Sequence, residues 1–310
     1  MKPALTLSSR EIRPVAAALF MLAACGCFAF NSVFVRLATE QGMHPFVVAF
    51  FRNLISFMIL VPMTVGKSGW GVFKPQRFDL LTLRGTLNGA SMLAWFYAVP
   101  LLPLNDLTAL GFTAPLWATV LAVLLLGEVV RWRRWAATLI GFAGVVVILQ
   151  PGFADVHWAT SLVLFSSAMW AVTIIVIRNL TFIERPETIL LYQALMMAVI
   201  AGIPAIFVWT TPSGEIWIWL LALGATGAAA HFFHVRAYTM QEVAALQPLD
   251  FARLPIVAVA AWAIFGETPA PAVWIGALVV FAAGTYISHR EAQLARQAKA
   301  KAAAEKIAGA

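Results

Sequence analysis

Nine side chains able to carry charge, hydrogen-bond or stack lie inside runs that are otherwise apolar: Asn31, Arg52, Asn88, Trp95, Trp170, His231, Gln247, Asp250 and Arg253. The chain is 62% hydrophobic and only 11% charged, so such groups need a reason to be there. An ionisable side chain at mid-membrane depth costs roughly 2.5–3.5 kcal/mol even on a lenient insertion scale. Asp250 and Arg253, three residues apart on one helix, either neutralise each other or hold a substrate and a proton. His231 falls at about the depth of Asp250, and the two form a candidate proton-coupling pair. The plainer role for an intramembrane histidine, a hydrogen bond to a neighbouring helix, stands beside that reading and is preferred for His234. Trp95 and Trp170 offer faces on which an aromatic or cationic solute stacks. Arg52, about two turns from a helix end, suits a carboxylate, whereas Arg84 lies near enough to a helix end to snorkel into water. His231 and His234, at i and i+3, supply too few ligands for a metal, and no HExxH occurs. Neither a metal, a cofactor nor an intramembrane enzyme is expected.

The elements that must position these residues follow from the apolar runs. Soluble domains average roughly 45–50% apolar and 25% charged residues, so a chain of this composition has lipid as its solvent. Segments of roughly 20 residues suffice to span, and ten are read: 15–36, 45–65, 80–101, 105–126, 132–149, 158–178, 187–210, 216–238, 242–265 and 270–288. Leu22-Ala23-Ala24-Cys25 fits a lipoprotein cleavage site, but the apolar run continues to Val35, too long for a signal segment. Cys25 and Cys27 point to different sides of a helix, which argues against a disulfide or metal pair. Lys and Arg cluster in alternate connections and are missing from 102–104, 150–157, 211–215 and 266–269. This asymmetry places both termini in the cytoplasm, and an even number of spans requires the same. The net charge of +7 is spread over many short loops, a pattern unlike a nucleic-acid surface.

Polar stripes at helical spacing show which faces turn inward. Arg84, Asn88, Ser91 and Trp95 share one face of span three, and Gly227, His231, His234 and Tyr238 one face of span eight. Phe28 and Asn31 add span one, Ser166, Trp170 and Thr173 span six, and Gln247, Asp250 and Arg253 span nine. Spans one, three, six, eight and nine are thus expected to enclose a polar interior. Pro115, Pro248 and Pro255 interrupt spans four and nine and are candidate hinge points. Trp217 and Trp219 read as interface anchors, and the Ala-rich basic tail 289–310 as a frayed cytoplasmic helix.

A short signature occurs twice. Gly127-Glu128 with Trp135 recurs 139 residues later as Gly266-Glu267 with Trp274, each between apolar runs. Phe28, Asn31, Arg36 and Pro62 match Trp170, Thr173, Arg178 and Pro204 at 142, and Gly85, Asn88 and Trp95 match Gly224, Gly227 and His234 at 139. Five spans is an odd number, so the second unit enters from the opposite side, and the halves are inverted. The Gly-Glu pairs read as helix punctuation, the glutamate complementing the start of the next helix, and Asn105-Asp106 as an N-cap.

The pattern Tyr97-Ala98, Pro115, Leu126-Gly127-Glu128, Trp135, with Ala237-Tyr238, Pro248, Pro255, Phe265-Gly266-Glu267, Trp274, resembles the paired EamA domains of the drug/metabolite transporter superfamily. The resemblance implies an all-α membrane protein of ten transmembrane helices, a 5+5 inverted repeat around a central cavity in a bacterial plasma membrane. Its units would be residues 15–150 and 151–288, after a cytoplasmic segment 1–14. It also implies a small-molecule substrate, with the bilayer and protons as further partners; a homodimer is left open. The first functional expectation is a secondary transporter of an amino acid or related metabolite, aromatic or cationic, working as a proton-coupled exporter or exchanger. The alternative is uptake of a vitamin or nucleoside-like metabolite; lipid flipping is a third reading. GxxxxGK[ST] is absent, so ATP is not the direct energy source.

Overall fold

A computed structural model describes residues 13–126, 132–149, 157–241, 246 and 249–308. Gly127, Glu128, Gln247 and Pro248 lie outside the described residues. Every regular element among the described residues is helical: α1 (Pro14–Glu40), α2 (Pro45–Ser68), a 3₁₀ turn (Trp70–Phe73), α3 (Phe78–Ala98), α4 (Leu104–Gly111), α5 (Ala114–Leu126), α6 (Trp132–Leu149), α7 (Ala159–Ile183), α8 (Pro186–Phe207), α9 (Ile216–Met240), α10 (Arg253–Phe265) and α11 (Pro271–Ala308). Five stretches are long and apolar enough to cross a membrane: Pro14–Glu40, Pro45–Gly66, Ala159–Ile177, Pro186–Phe207 and Ile216–Met240. Cys25 sits buried inside the unbroken α1, and both cysteines are free thiols.

Local chemistry sets the ends. Pro14, Pro45 and Pro186 begin α1, α2 and α8, positions where a missing N–H costs nothing. Nδ1 of His44 accepts from the Phe46 N–H (3.3 Å) and caps α2. The expected span four is two helices. After Gly111 the chain tightens, with the Phe112 and Thr113 N–H groups bonded to Ala109 and Leu110 oxygens, and α5 then starts with Pro115 in its first turn. Span nine breaks likewise at Phe251-Ala252, and Pro255 falls in the first turn of α10. In both places the proline has no N–H for the carbonyl four residues back, that of Gly111 or Phe251, and its ring crowds that carbonyl, which favours interruption of the helix there. Pro62 and Pro204, by contrast, are carried within α2 and α8.

Helices pack α1 on α9, α3 on α7 and α8, α2 on α8 and α9, α4 on α10 and α7, and α6 on α11. The two breaks meet: the Phe112 and Phe251 rings stack with centroids 3.9 Å apart. Between α6 and α11, backbones touch. A methyl group on Gly144 would stand 2.9 Å from the Gly276 oxygen, and one on Gly276 2.6 Å from the Gly144 oxygen. Small residues let membrane helices gain dispersion contact at such range. Trp135 and Trp274 both lie on the outside of the bundle.

Glu267 does more than the punctuation expected of it. Gly266 ends α10 in the left-handed conformation (φ 68°, ψ 14°), as a helix C-cap does. The glutamate serves another helix start, accepting the Leu104 N–H at the head of α4 through Oε2 (2.9 Å) and pairing through Oε1 with Arg36 of α1. Arg36 also donates to the Leu102 oxygen (3.4 Å) and lies over the Phe265 ring. One carboxylate thus ties together α1, the α3–α4 turn and the α10–α11 turn.

The α6–α11 contact makes a test. Gly144→Leu should lower stability by about 1–3 kcal/mol, the usual cost of overpacking. Gly26→Leu, which meets open space, should stay within about 0.5 kcal/mol. Thermal unfolding of the two purified variants measures this; equal midpoints would contradict the packing.

Candidate functional site

A cavity of about 110 Å³ opens among α1, α2, α3, α7, α9 and the broken spans. An apolar cavity of roughly 150 Å³ accepts a benzene ring, so in this conformation the space suits one ring or several waters. Its walls carry Phe28, Asn31, Ser32, Arg52, Asn88, Ser91, Met92, Trp95, Phe96, Gly111, Ser166, Ser167, Trp170, Met197, His231 and Arg253.

Seven of the nine expected residues therefore reach one space: Asn31, Arg52, Asn88, Trp95, Trp170, His231 and Arg253. Asp250 flanks it through Arg253, and Gln247 lies outside the described residues. The five helices expected to enclose the interior do so, but α2, α4 and α8 also contribute, through Arg52, Gly111 and Met197. Polarity alone misses Gly111 and Met197 because neither carries a polar side chain.

The aromatic wall is continuous. Phe28 stands edge-on to Trp170 (6.3 Å), His231 (5.3 Å) and His234 (5.7 Å). His234 lies beside Trp170 (5.6 Å) and Tyr238 (4.3 Å), and the Trp95 ring packs against Gly111 while its N–H points to Ser32 (3.4 Å). A Cβ at Gly111 would come within 2.9 Å of Trp95, so glycine there makes room for the indole. Edge-to-face contacts of this kind hold rings in fixed orientations.

Polar groups divide into those that hold helices together and those left over. Asn31 donates to the Leu223 oxygen (3.4 Å) and Thr226 Oγ1 (3.0 Å), joining α1 to α9. Ser91 and Ser166 exchange bonds with each other's carbonyls at 2.9 and 2.8 Å, joining α3 to α7. Left over are Nε of Arg52, Nε and Nη1 of Arg84, Nδ2 of Asn88 and Nε of Arg253, all buried without a hydrogen-bond partner among the described residues. Arg52 spends Nη1 on Asn53 Oδ1 (2.7 Å), and no carboxylate pairs with it among the described residues. Gly227 makes its place: a Cβ there would stand 2.6 Å from Nε of Arg52.

Two expectations are corrected. Arg84 does not snorkel; it is 2% exposed, because the stripe it shares with Asn88 and Ser91 faces α7 and α8. His231 does not pair with Asp250. Its Nδ1 sits 2.9 Å from Nε2 of Gln193 on α8, a partner that a search for ionisable groups passes over. Asp250 instead lies 3.7 Å from Arg253, accepts from the Cys25 thiol (3.6 Å), and is within electrostatic reach of His234 and Tyr238. The Arg253 guanidinium lies over both Phe28 (5.8 Å) and Phe112 (5.2 Å), tying the acid to the helix breaks.

Aromatic faces and unspent donors bordering one small space suit a solute-binding role. Comparison with known proteins agrees in kind. The profile of the EamA-like transporter family matches residues 15–150 and 157–288. A riboflavin transporter of Brucella anthropi is 30% identical over 90% of this chain and 100% of its own length. A Rhizobium johnstonii riboflavin transporter is 31% identical over 94% of this chain and 97% of its own, and an S-adenosylmethionine uptake transporter of Rickettsia felis is 32% identical over 80% and 84%. A solved crystal structure superposes with a TM-score of 0.62 at 17% identity, covering 90% of this chain and 99% of the other, and so shares the fold. Matched in both halves and along nearly its whole described length, this chain belongs to the EamA-like transporter family.

Proposed function

We propose that the protein is an uptake carrier for a planar heteroaromatic metabolite, neutral or anionic, moved by alternating access between two five-helix halves of opposite orientation. The observation that carries this reading is the joining of Phe28, Trp95 and Trp170 with the unpaired Arg52 in one cavity. Flat rings stack on the first three, and an acceptor group answers the guanidinium. Relatives named as carriers of riboflavin and of S-adenosylmethionine, both bearing ring systems, support it.

One earlier expectation gives way. Export yields to uptake, because the relatives whose names state a direction are uptake transporters. We favour a neutral or anionic solute over the cationic one also expected because Arg52 faces the space with no carboxylate partner among the described residues; Arg253 is matched by Asp250, and the S-adenosylmethionine carriers are relatives whose solute is cationic.

Inverted halves, residues 15–150 and 151–288, are supported by the packing. Phe112 and Phe251, which stack on one another, are separated by the same 139 residues as the two Gly-Glu signatures. Span one packs on span eight as six does on three, two on seven, four on nine and five on ten. A two-fold axis in the membrane plane generates that pairing, and inverted repeats of this kind exchange two access states. In this scheme Arg36–Glu267 closes the outer face and the termini are cytoplasmic. Asp250, with Arg253, is the proton-coupling candidate that remains.

In proteoliposomes the protein should catalyse riboflavin counterflow, with S-adenosylmethionine competing about tenfold less well. A stronger block by S-adenosylmethionine would overturn the charge preference, and no counterflow of either would remove the carrier reading. Asp250→Asn should lose uptake driven by a pH gradient while keeping counterflow; gradient-driven uptake at the native rate takes Asp250 out of the coupling. Gly227→Ala should displace the Arg52 guanidinium, the flexible end of a side chain, rather than unfold the protein. Its melting temperature should stay within a few degrees while affinity falls about tenfold, one lost charge-assisted hydrogen bond; native affinity would show that Arg52 does not bind.

A further inference from the structure

Behind the cavity-lining Asn88 and His231 lies a second patch, Arg84 and Gln193, that is not itself in the lining and that the transport reading does not use. Arg84 and Asn88 lie one turn apart on α3, and Asn88 lines the cavity. His231, also in the wall, is within electrostatic reach of both Arg52 and Arg84 and touches Gln193. The unmatched atoms are Nε and Nη1 of Arg84, Nδ2 of Asn88 and Oε1 of Gln193. Each is buried, and an unmet buried polar group costs about as much as a lost hydrogen bond. Three of these four atoms donate and one accepts. The Arg84 guanidinium is 2% exposed and makes no ion pair among the described residues.

We infer that Arg84, with Asn88 and Gln193, is a specificity-determining subsite that recognises the acceptor-bearing edge of the transported ring. An inference about the same site, it rests on the aromatic-carrier reading above. A guanidinium presents N–H groups in a planar fork, which suits two acceptors lying in the plane of a ring. Asn88 supplies a further donor, and Gln193 Oε1 takes an N–H set between two acceptors. An edge with acceptor, donor and acceptor in a row, as in a cyclic imide, meets all three; a ring carboxylate meets the donors alone. A tricycle of the same shape without carbonyls meets none and gains only stacking. Cavity polarity would then be the filter, since a site built to hydrogen-bond its ligand rejects an analogue that leaves its groups unmatched.

The test uses full-length protein in detergent and equilibrium dialysis with three probes: lumichrome, which has an imide edge, phenazine, which has none, and phenazine-1-carboxylate. The native protein should bind lumichrome or the carboxylate at least about tenfold more tightly than phenazine. Lumichrome preferred identifies the carbonyl edge, and the carboxylate alone preferred identifies an anion; both uphold an acceptor-selective subsite. Arg84→Gln should cut that preference about tenfold with phenazine binding unchanged. Arg84→Lys keeps the charge, serves if the first variant does not fold, and should lose preference for lumichrome while retaining the carboxylate. Equal binding of all three probes by the native protein, or a preference undiminished in both variants, overturns the subsite but leaves the carrier reading standing. Failure of every tricycle to bind would overturn both.

Discussion

Positive charge held out of water without a matching carboxylate is the constraint on which the interior depends. Arg52 and Arg84 are 3% and 2% exposed, and neither makes an ion pair among the described residues. Removing a guanidinium from water costs several kcal/mol even after the surroundings relax, and a bundle this apolar offers little to repay it. The surrounding residues answer in part: Gly227 opens space for Arg52, Asn53 takes one of its donors, and the rest face the cavity wall. On the reading proposed above, these unmet donors are answered when the acceptors of the solute arrive.

Scaffold and cavity share some of their side chains. Helices are held by close backbone approach at Gly144 and Gly276, by the reciprocal Ser91–Ser166 bonds and by Asn31 on α9. These bonds satisfy the side chains locally, while Asn31, Ser91 and Ser166 also border the cavity. Most cavity residues lie on the continuous helices α1, α2, α3, α7 and α9, and Gly111 and Arg253 lie at the helix breaks. The Phe112–Phe251 stack lies at both breaks, and Arg253 covers one of its rings while pairing with Asp250. A change at Asp250 is therefore mechanically adjacent to the place where the backbone is least constrained by hydrogen bonds.

Glu267 shows how a repeated motif gains meaning from its neighbours. As one residue after a glycine it is punctuation. In the fold it holds the N–H of Leu104 and the guanidinium of Arg36, two groups far away in sequence. Neither contact has a local signature, because each joins the end of one span to the start of another.

Composition and periodicity determined much by themselves. Lipid as solvent, helical spans, the proline breaks in spans four and nine and the inward stripes of α3 and α9 all follow from local covalent and hydrophobic rules. Those rules act within a turn or two of helix, so one strand of sequence contains them. Seven of the nine expected residues border the cavity for the same reason: a polar group in an apolar run is driven inward. Only the tertiary structure decided partners. It gave His231 to Gln193 rather than Asp250, drew Arg84 into the interior instead of to the surface, and set glycines against Arg52 and Trp95. Those outcomes depend on the rotation and depth of one helix against another, and the physical reason they are hidden is that helix faces are specified residue by residue while helix pairings are not.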